Sequence, residues 1–444
     1  MYDRARCVSS LVLRVTILHT NDIHGRVEGL ARVATLVERI REETPHRVIY
    51  VDAGDVEETT TRLSNLTKGV AMHRLLSAAG CEVSVVGNAV WLRYGPQVIA
   101  DQARAASYPL LLANLSPVEG VQHTAMIDGV GFVGVTDPFH SFLETGVYGI
   151  EVSDEVEVVR RAARELRERG AELVVCLSHL GYASEESFTS ALDPELAEQV
   201  QGDVDLIIGA HTHHLLPEGV RVGSVTIAQA GSFAEHLGRV DVIDGEIRVS
   251  VIEVGEDVPQ HPSVLAAVTA AEADLDASLD EVIVDLDEPL DAQWIAEMLR
   301  ERMEAEIGLA TSAVVLDAPL PAGPLRRRDL WEVCHSTANP AVVELTGAQL
   351  AHMIERGSDA QFQQTTDNPL RGRPRGPLHV AGDASRLDPA RTYVVAATDY
   401  ELERYGRLVE DDWGLSIRYD FPTIIREAVE ERLARDRAGV TRTR

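Results

Sequence analysis

Five short apolar runs in the first half of the chain each lead into side chains of the kinds that can ligate metal ions. The runs are Val15–His19, Val48–Val51, Val83–Val86, Leu173–Leu177 and Val204–Ile208. They lead into Asp22 and His24, then Gly54-Asp55, Gly87-Asn88, Ser178-His179 and Gly209-Ala210-His211-Thr212-His213. Short runs rich in β-branched residues and bounded by glycine read as buried strands. Helical spacing lies between them: Leu30, Val33, Ala34, Leu36, Val37 and Ile40, then Val70–Ala79 closed by Gly80, and Val152–Arg169 ending at Gly170. Leu110–Leu112 and Phe132–Val135 add further short strands. This alternation predicts a layered α/β domain. The polar residues fall just past strand C-termini, where open α/β sheets gather their ligands.

Carboxylate, imidazole and carboxamide groups are hard or borderline donors suited to ions such as Mn²⁺, Zn²⁺ or Fe²⁺. A two-ion site needs a bridging carboxylate and terminal ligands for each ion. Asp22 and His24 stand two apart at one strand end. Asp55 is the natural bridge, and Asn88 offers a neutral oxygen. His179, His211 and His213 supply imidazoles from two more strand ends. Taken alone, His24 or His179 reads as a satisfied core or surface histidine, and Asp55 as an ordinary turn residue. All five segments in this order favour one metal site over that reading. His214 breaks the alternation that aims its neighbours inward and belongs to the loop.

A chain of 444 residues is too long for a single core and predicts two domains. The net charge of −30 opposes nucleic-acid polymers, which require a basic surface. A small anionic substrate stays compatible, because bound cations reverse the local field. Cys7, Cys81, Cys176 and Cys334 form no paired motif and read as isolated thiols. Leu11–Leu18 is interrupted by Arg14 and runs directly into the first ligand segment, so it reads as a core strand rather than a signal peptide. No run is long enough for a membrane helix, and a cytoplasmic location is expected.

Past about position 250 the pattern changes. His261–Asp280 reads as a linker helix. A second α/β region opens near Asp291, with a helix at Trp294–Ile307 and strands at Ala313–Leu316, Leu330–Cys334 and Ala341–Leu345. A helix over Gly347–Arg356, a Gly/Pro/Arg-rich loop over Asp359–Pro377, a strand at Tyr393–Thr398 and a charged helix from Ile424 follow. The expected division is 11–255, a linker over 256–290, and 291–444.

Residues 14–250 resemble the calcineurin-like metallophosphoesterase superfamily, and most closely its 5′-nucleotidase branch, through Leu18-His19-Thr20-Asn21-Asp22-Ile23-His24-Gly25 and the four later segments. The second region resembles that branch's C-terminal substrate-binding domain. The residues that carry this likeness are Leu320-Pro-Ala-Gly323, Leu330, Asn339-Pro340, Glu344-Leu-Thr-Gly347, Asp388-Pro389 and Tyr393–Thr398. The resemblance implies a four-layer α-β-β-α sandwich followed by a smaller α/β domain. It implies two divalent ions (Mn, Zn, Fe or Co). Asp22, His24, Asp55 and His213 would hold one, and Asp55, Asn88, His179 and His211 the other. It further implies attack on a phosphate ester by a metal-bridging hydroxide.

The chain departs from that pattern at one conspicuous place. The family segment Gly-Asn-His-Glu reads Gly87-Asn88-Ala89-Val90 here, so the histidine that assists the leaving oxygen is replaced by Ala89. The carboxylate expected to orient it is also missing from Val90-Trp91-Leu92-Arg93-Tyr94. Loss of a general acid costs about 10²–10⁴ in rate. Arg93, Tyr94 and His140 are conceivable replacements, each with a structural reading that is simpler. The second region lacks the family's Gly-Gly-x-Arg turn and its stacking aromatic, where His335-Ser-Thr-Ala-Asn-Pro340 stands instead. Arg371, Arg373 and Arg375, in a shaped loop, are candidates for holding phosphate. Arg326-Arg-Arg328 reads as a charged face, and Tyr400 and Tyr405 as packing residues.

The expectation is a two-ion phosphoesterase acting on a nucleotide or related ester. The rival enzyme readings are a cyclic-nucleotide phosphodiesterase and a nucleotide-sugar pyrophosphatase. A rival of another class is a nucleotide-binding or sensing protein with weakened chemistry.

Overall fold

The apolar runs of the first half are strands in the computed structural model, shared between two six-stranded sheets. The structure describes residues 13–89, 91–137, 149–183, 192–334, 336–366, 373–403 and 406–437. The first sheet holds β1 (Arg14–Thr20), β2 (Arg47–Asp52), β3 (Val83–Val85) and β4 (Leu110–Leu111) in parallel. The second is built on β5 (Thr124–Ile127), β6 (Val130–Thr136), β7 (Leu173–His179), β8 (Leu206–Gly209), β9 (Val220–Val222) and β10 (Val225–Ala228). An antiparallel hairpin, β11 (His236–Ile243) and β12 (Glu246–Glu253), completes the first sheet by pairing β11 with β1. The orders are β12-β11-β1-β2-β3-β4 and β9-β10-β8-β7-β6-β5.

Strand periodicity explains the layering. Alternate residues of a strand face opposite sides. Ile17, Ile49, Val51 and Val85 meet Phe132, Val175, Leu177 and Ile208 in one buried cluster between the sheets. The intervening residues Val133, Val135, Val174, Cys176 and Ile207 pack instead on a helix layer through Val158, Val159, Ala162 and Leu166. That helix, Glu155–Glu168, is capped by Asp154, whose carboxylate accepts from the Glu157 amide at 2.8 Å. The helix Val27–Glu43 buries Leu30, Val33, Leu36, Val37 and Ile40 beside β2. The order helix, sheet, sheet, helix is the four-layer sandwich expected.

Two compact units are present: residues up to 92 with 96–273, and residues 93–95 with 274 onward. The division falls inside the helix Pro262–Leu279. The second unit carries a mixed five-stranded sheet whose strands are Ile307–Thr311, Pro340–Thr346, Leu378–Ala381, Thr392–Thr398 and Arg418–Tyr419.

Several elements differ from expectation. The helix opening the second region runs Ala292–Arg302 and does not reach Ile307. Glu304 takes a left-handed φ of 54°, which ends the helix, and Ile307–Thr311 becomes a strand buried throughout. Ala313–Leu316 and Leu330–Cys334, expected as strands, fall largely in the helices Ser312–Val315 and Arg327–Val333. The Asp329 carboxylate accepts the Arg326 amide at 2.8 Å and starts the latter. The hairpin β11–β12 lies outside the expected elements, although Asp244-Gly245 is a turn pair suited to a tight hairpin, with φ of 52° and 85°.

Candidate metal centre

The parallel strands β1, β2 and β3 end at one level, and their following loops are stitched together. The Asp22 amide donates to Gly54 O, and the His24 and Gly25 amides donate to Asp55 O and Val56 O, each at 2.9 Å. Asn21 clips this loop to a distant one. Its Oδ1 accepts the Ala230 amide at 2.9 Å and its Nδ2 donates to Gly231 O at 2.5 Å. The Asp22 carboxylate receives the His211 amide at 3.0 Å, which brings the β8 loop to the same place.

The seven expected donors converge. The Nε2 atoms of His24 and His213 are 3.0 Å apart, and they lie 3.8 and 3.5 Å from Asp22 Oδ1. His179 Nε2 lies 3.3 Å from Asp55 Oδ2 and 3.0 Å from Asn88 Oδ1. His211 Nδ1 is also 3.0 Å from Asn88 Oδ1. Asp55 Oδ2 is 4.0 Å from His24 Nε2, so this carboxylate stands between the two groups. Donors bound at about 2.1 Å to one ion lie roughly 3–3.5 Å from each other. The observed spacings fit two ions sharing Asp55. Two imidazole nitrogens 3.0 Å apart also need a shared cation or proton between their lone pairs.

Backbone conformation supports this convergence. Among the described residues twelve non-glycine residues adopt a left-handed φ, and five of these are Asp22, His24, Asp55, His211 and His213. Such conformations cost roughly 1–3 kcal/mol each and cluster where geometry is over-determined. Glycines next to the donors leave room for them. A Cβ on Gly54 (φ +98°) would meet His179 Nδ1 at 2.7 Å, and one on Gly87 would meet Asp55 Oδ1 at 2.0 Å.

The electrostatics are those of an anionic cluster needing a cation. Burial alone would raise the Asp55 carboxyl, but the adjacent His179, with His24, holds it far below the usual carboxylate range. Burial opposes a charged His179, yet the charges of Asp55 and Asp22 draw it well above the usual imidazole value. His213 is raised too, because Asp22 outweighs its partial burial. On His179 and His213 a proton would take the electrostatic role that a divalent ion fills beside Asp22 and Asp55.

Four of the donors are also backed by neighbouring groups. Asp55 Oδ1 accepts the amides of Asn88 and Ala89 at 2.6 and 2.9 Å, which leaves Oδ2 turned inward. His179 Nδ1 lies 2.8 Å from Ala53 O. Glu58 Oε2 is 3.5 Å from His24 Nδ1, and Asp137 Oδ2 is 3.5 Å from His211 Nε2. Phe233, itself left-handed, packs its ring 5.7 Å from His24 and 5.4 Å from His213. Sequence reasoning missed Glu58, Asp137 and Phe233. Glu58 lies three residues past Asp55, whereas Asp137 follows β6, a strand that carries none of the seven donors, and reaches the site only because β6 pairs with β7.

The other candidates are placed elsewhere. His214 Nδ1 pairs with Thr212 Oγ1 at 2.9 Å, as a loop residue. Arg375 departs from a phosphate-holding role. It is 1 % exposed and donates to Thr365 Oγ1 at 2.7 Å, Tyr400 Oη at 2.6 Å and Gly406 O at 2.8 Å, within the second unit. Arg373 is ion-paired with Asp317. Arg326 donates to Asp280 O at 3.0 Å, and Arg327 and Arg328 are tied to Glu430 and Asp276 at 2.8 and 3.2 Å. Tyr94 and Tyr400 are buried. Arg371, His140, Tyr405 and Cys7 lie outside the described residues, as does the side chain of Arg93. Among the described residues no helix is long and apolar enough to cross a membrane.

Known families match both parts of the chain. Residues 15–215 match the calcineurin-like phosphoesterase model, and residues 284–407 match the 5′-nucleotidase C-terminal domain. An uncharacterized metallophosphoesterase of Bacillus subtilis is 25% identical over 87% of this chain and 88% of its own. The bovine 5′-nucleotidase is 26% identical over 62% of this chain, which spans about half of that protein's length (56%). The fold is shared with a 5′-nucleotidase precursor from Thermus thermophilus, at 21% identity and a TM-score of 0.57 over 96% of this chain and 97% of that one. A putative 5′-nucleotidase from Staphylococcus aureus gives 17% and 0.59 over the same shares. With both parts matched in family order, the chain belongs to the calcineurin-like phosphoesterases that carry a 5′-nucleotidase C-terminal domain, and it is a phosphoester hydrolase.

Proposed function

We propose that the chain removes phosphate from nucleotides or closely related monoesters at a two-ion centre. The observation that carries this reading is the convergence of seven donor side chains on two adjoining points, with Asp55 between them. Asp22, His24 and His213 would hold one ion, Asn88, His179 and His211 the other, and Asp55 both. When bound, such ions neutralise phosphate charge and supply an activated water at neutral pH. The family's use of a dinuclear divalent centre agrees with this donor set.

The chain's own groups do the positioning. Asn21 and the stitched loops fix Asp22 and His24 before any ligand arrives. The two amides on Asp55 Oδ1 keep its other oxygen aimed at both halves. Phe233 packs beside the imidazoles of His24 and His213 and limits their movement on that side. At position 89 a methyl group stands where a proton donor to the leaving oxygen is expected. Catalysis therefore rests on the ions and favours leaving groups that depart without a proton. Nucleotide substrates are supported by the 5′-nucleotidase relatives and by the matched C-terminal domain.

The test is a phosphate-release screen with Mn²⁺, Zn²⁺ and Co²⁺ over nucleoside monophosphates, cyclic nucleotides, nucleotide sugars and aryl phosphates. Release from monophosphates and aryl phosphates is expected. Turnover confined to cyclic nucleotides or nucleotide sugars would replace monoester hydrolysis with phosphodiester or pyrophosphate cleavage. Tight nucleotide binding with no turnover under any ion would replace it with a sensing role.

A further inference from the structure

The imidazoles of the proposed centre are not backed alike. His179 rests on a backbone carbonyl, at 2.8 Å from Ala53 O. His24 has Glu58 behind it, a carboxylate whose side chain is 22% exposed. His211 instead has Asp137, which is 1% exposed, with Oδ2 3.5 Å from its Nε2. Asp137 follows the last residue of β6, where Thr136 pairs in register with His179 of β7. Its amide donates to His179 O at 3.0 Å. One residue thus holds the strand end that bears His179 and places a buried carboxylate against His211.

We infer that Asp137 is a positioning residue that fixes the tautomer of His211 and tightens the hold on the ion shared by Asn88, His179 and His211. A carboxylate facing Nε2 favours the tautomer with the proton there. The lone pair is then on Nδ1, the atom that lies 3.0 Å from Asn88 Oδ1 among the donors. Carboxylates that orient ligating imidazoles in this way also raise their basicity, and their loss typically costs about 10–100-fold in metal affinity. Burial strengthens the effect here, because little water competes for the contact.

The inference rests on the two-ion reading, and one experiment separates the two. Metal-free protein is titrated with Mn²⁺, and free ion is followed by its EPR signal while bound ion is counted per chain. The wild type is expected to take up two ions. Asp137→Asn keeps the shape and the backbone hydrogen bond. It should weaken one binding step by about 10–100-fold and leave the other within about twofold. Glu58→Gln, on the opposite half, should not reproduce that change in the same step. Equal weakening of both steps in Asp137→Asn, or no change in either, overturns the assignment. A merely structural role is read from the melting temperature of the metal-free protein, which must stay near the wild-type value if the assignment holds. Asp55→Asn is the control for the underlying reading. If it leaves both steps unchanged, the two-ion centre itself fails and Asp137 fails with it. If Asp55→Asn disrupts both steps while Asp137→Asn disrupts neither, only the positioning role is lost.

Discussion

Gly87→Ala adds one methyl group and should disable the centre. A Cβ at this position would lie 2.0 Å from Asp55 Oδ1, 2.4 Å from Asp55 N and 2.7 Å from Asp55 Cγ. All three contacts are far inside van der Waals separation, and one is to backbone. The carboxylate cannot simply turn aside, because Oδ1 accepts the amides of Asn88 and Ala89 at 2.6 and 2.9 Å. Relief therefore requires that the β3 loop retreat or that Asp55 leave its bridging position, a displacement of about 1 Å in either case. Misplacement on that scale costs about 10²-fold in turnover. Overpacking a buried site costs about 1–3 kcal/mol in stability. The assay compares melting of the metal-free and Mn²⁺-loaded protein, ions retained per chain, and turnover of an aryl phosphate. The expected signature is a modest fall in metal-free melting temperature together with loss of most of the metal-induced rise. A Gly87→Ala protein that retains two ions and turns over within about threefold of the wild type would refute the bridging role of Asp55.

Asp55→Asn should abolish aryl phosphate turnover and lower the number of retained ions, measured by atomic absorption after dialysis; persistent turnover would sink the dinuclear assignment. Ala89→His should raise hydrolysis of alkyl phosphates by up to about 10² while changing aryl phosphates little, since only the former need a proton on the leaving oxygen. Equal rates on both classes, unmoved by this substitution, would remove the argument from the missing acid. Burial pushes the Asp193 carboxyl up to about 8 from its ordinary 3.8. The native chain then keeps a proton that the unfolded chain releases. Stability tied to that proton is complete below about pH 4 and is lost as pH rises toward about 8. Asp193→Asn keeps the acceptor for Ser178 Oγ, at 2.5 Å, without titrating. Its melting temperature should therefore fall less than that of the wild type between about pH 5 and 8.5, and parallel melting curves would contradict the assignment.

The first half of the fold was legible because its strands are bounded by chemistry. The five runs that feed the site each lead into a glycine or a metal-type donor, so periodicity and motif mark the same boundary. The second unit lacked that agreement. Ala313–Leu316 and Leu330–Cys334 are short and apolar, and such runs fit a buried helix turn as well as a strand; capping by Asp329 favours the helix in the second. The seven donors could be read from residue type and position after a strand. Asp137, Glu58 and Phe233 could not, because their relation to the site arises from tertiary approach: β6 beside β7, the loop after β2 beside His24, and the turn after Ala230 beside His213. Arg375 shows the same dependence on tertiary approach. The loop rich in glycine and proline reads as shaped to hold phosphate, whereas the guanidinium lies 4.5 Å from the Phe362 ring and donates to internal acceptors.

The donors are spread along the chain, and this has a bearing on its lifetime as well as its chemistry. An ion held by Asp22 and His213 would tie together points about 190 residues apart in sequence, across a loop whose closure is entropically costly in an unfolded chain. No short segment carries the donor set, so the unfolded chain has little to offer an ion, and binding counts almost wholly toward the native state. At a free ion concentration 100-fold above the dissociation constant, that linkage stabilises the fold by about 2.7 kcal/mol. If the proposed centre is occupied, loss of its ions would let the chain open more often and meet a protease sooner, so the same donors would govern its lifetime and its chemistry.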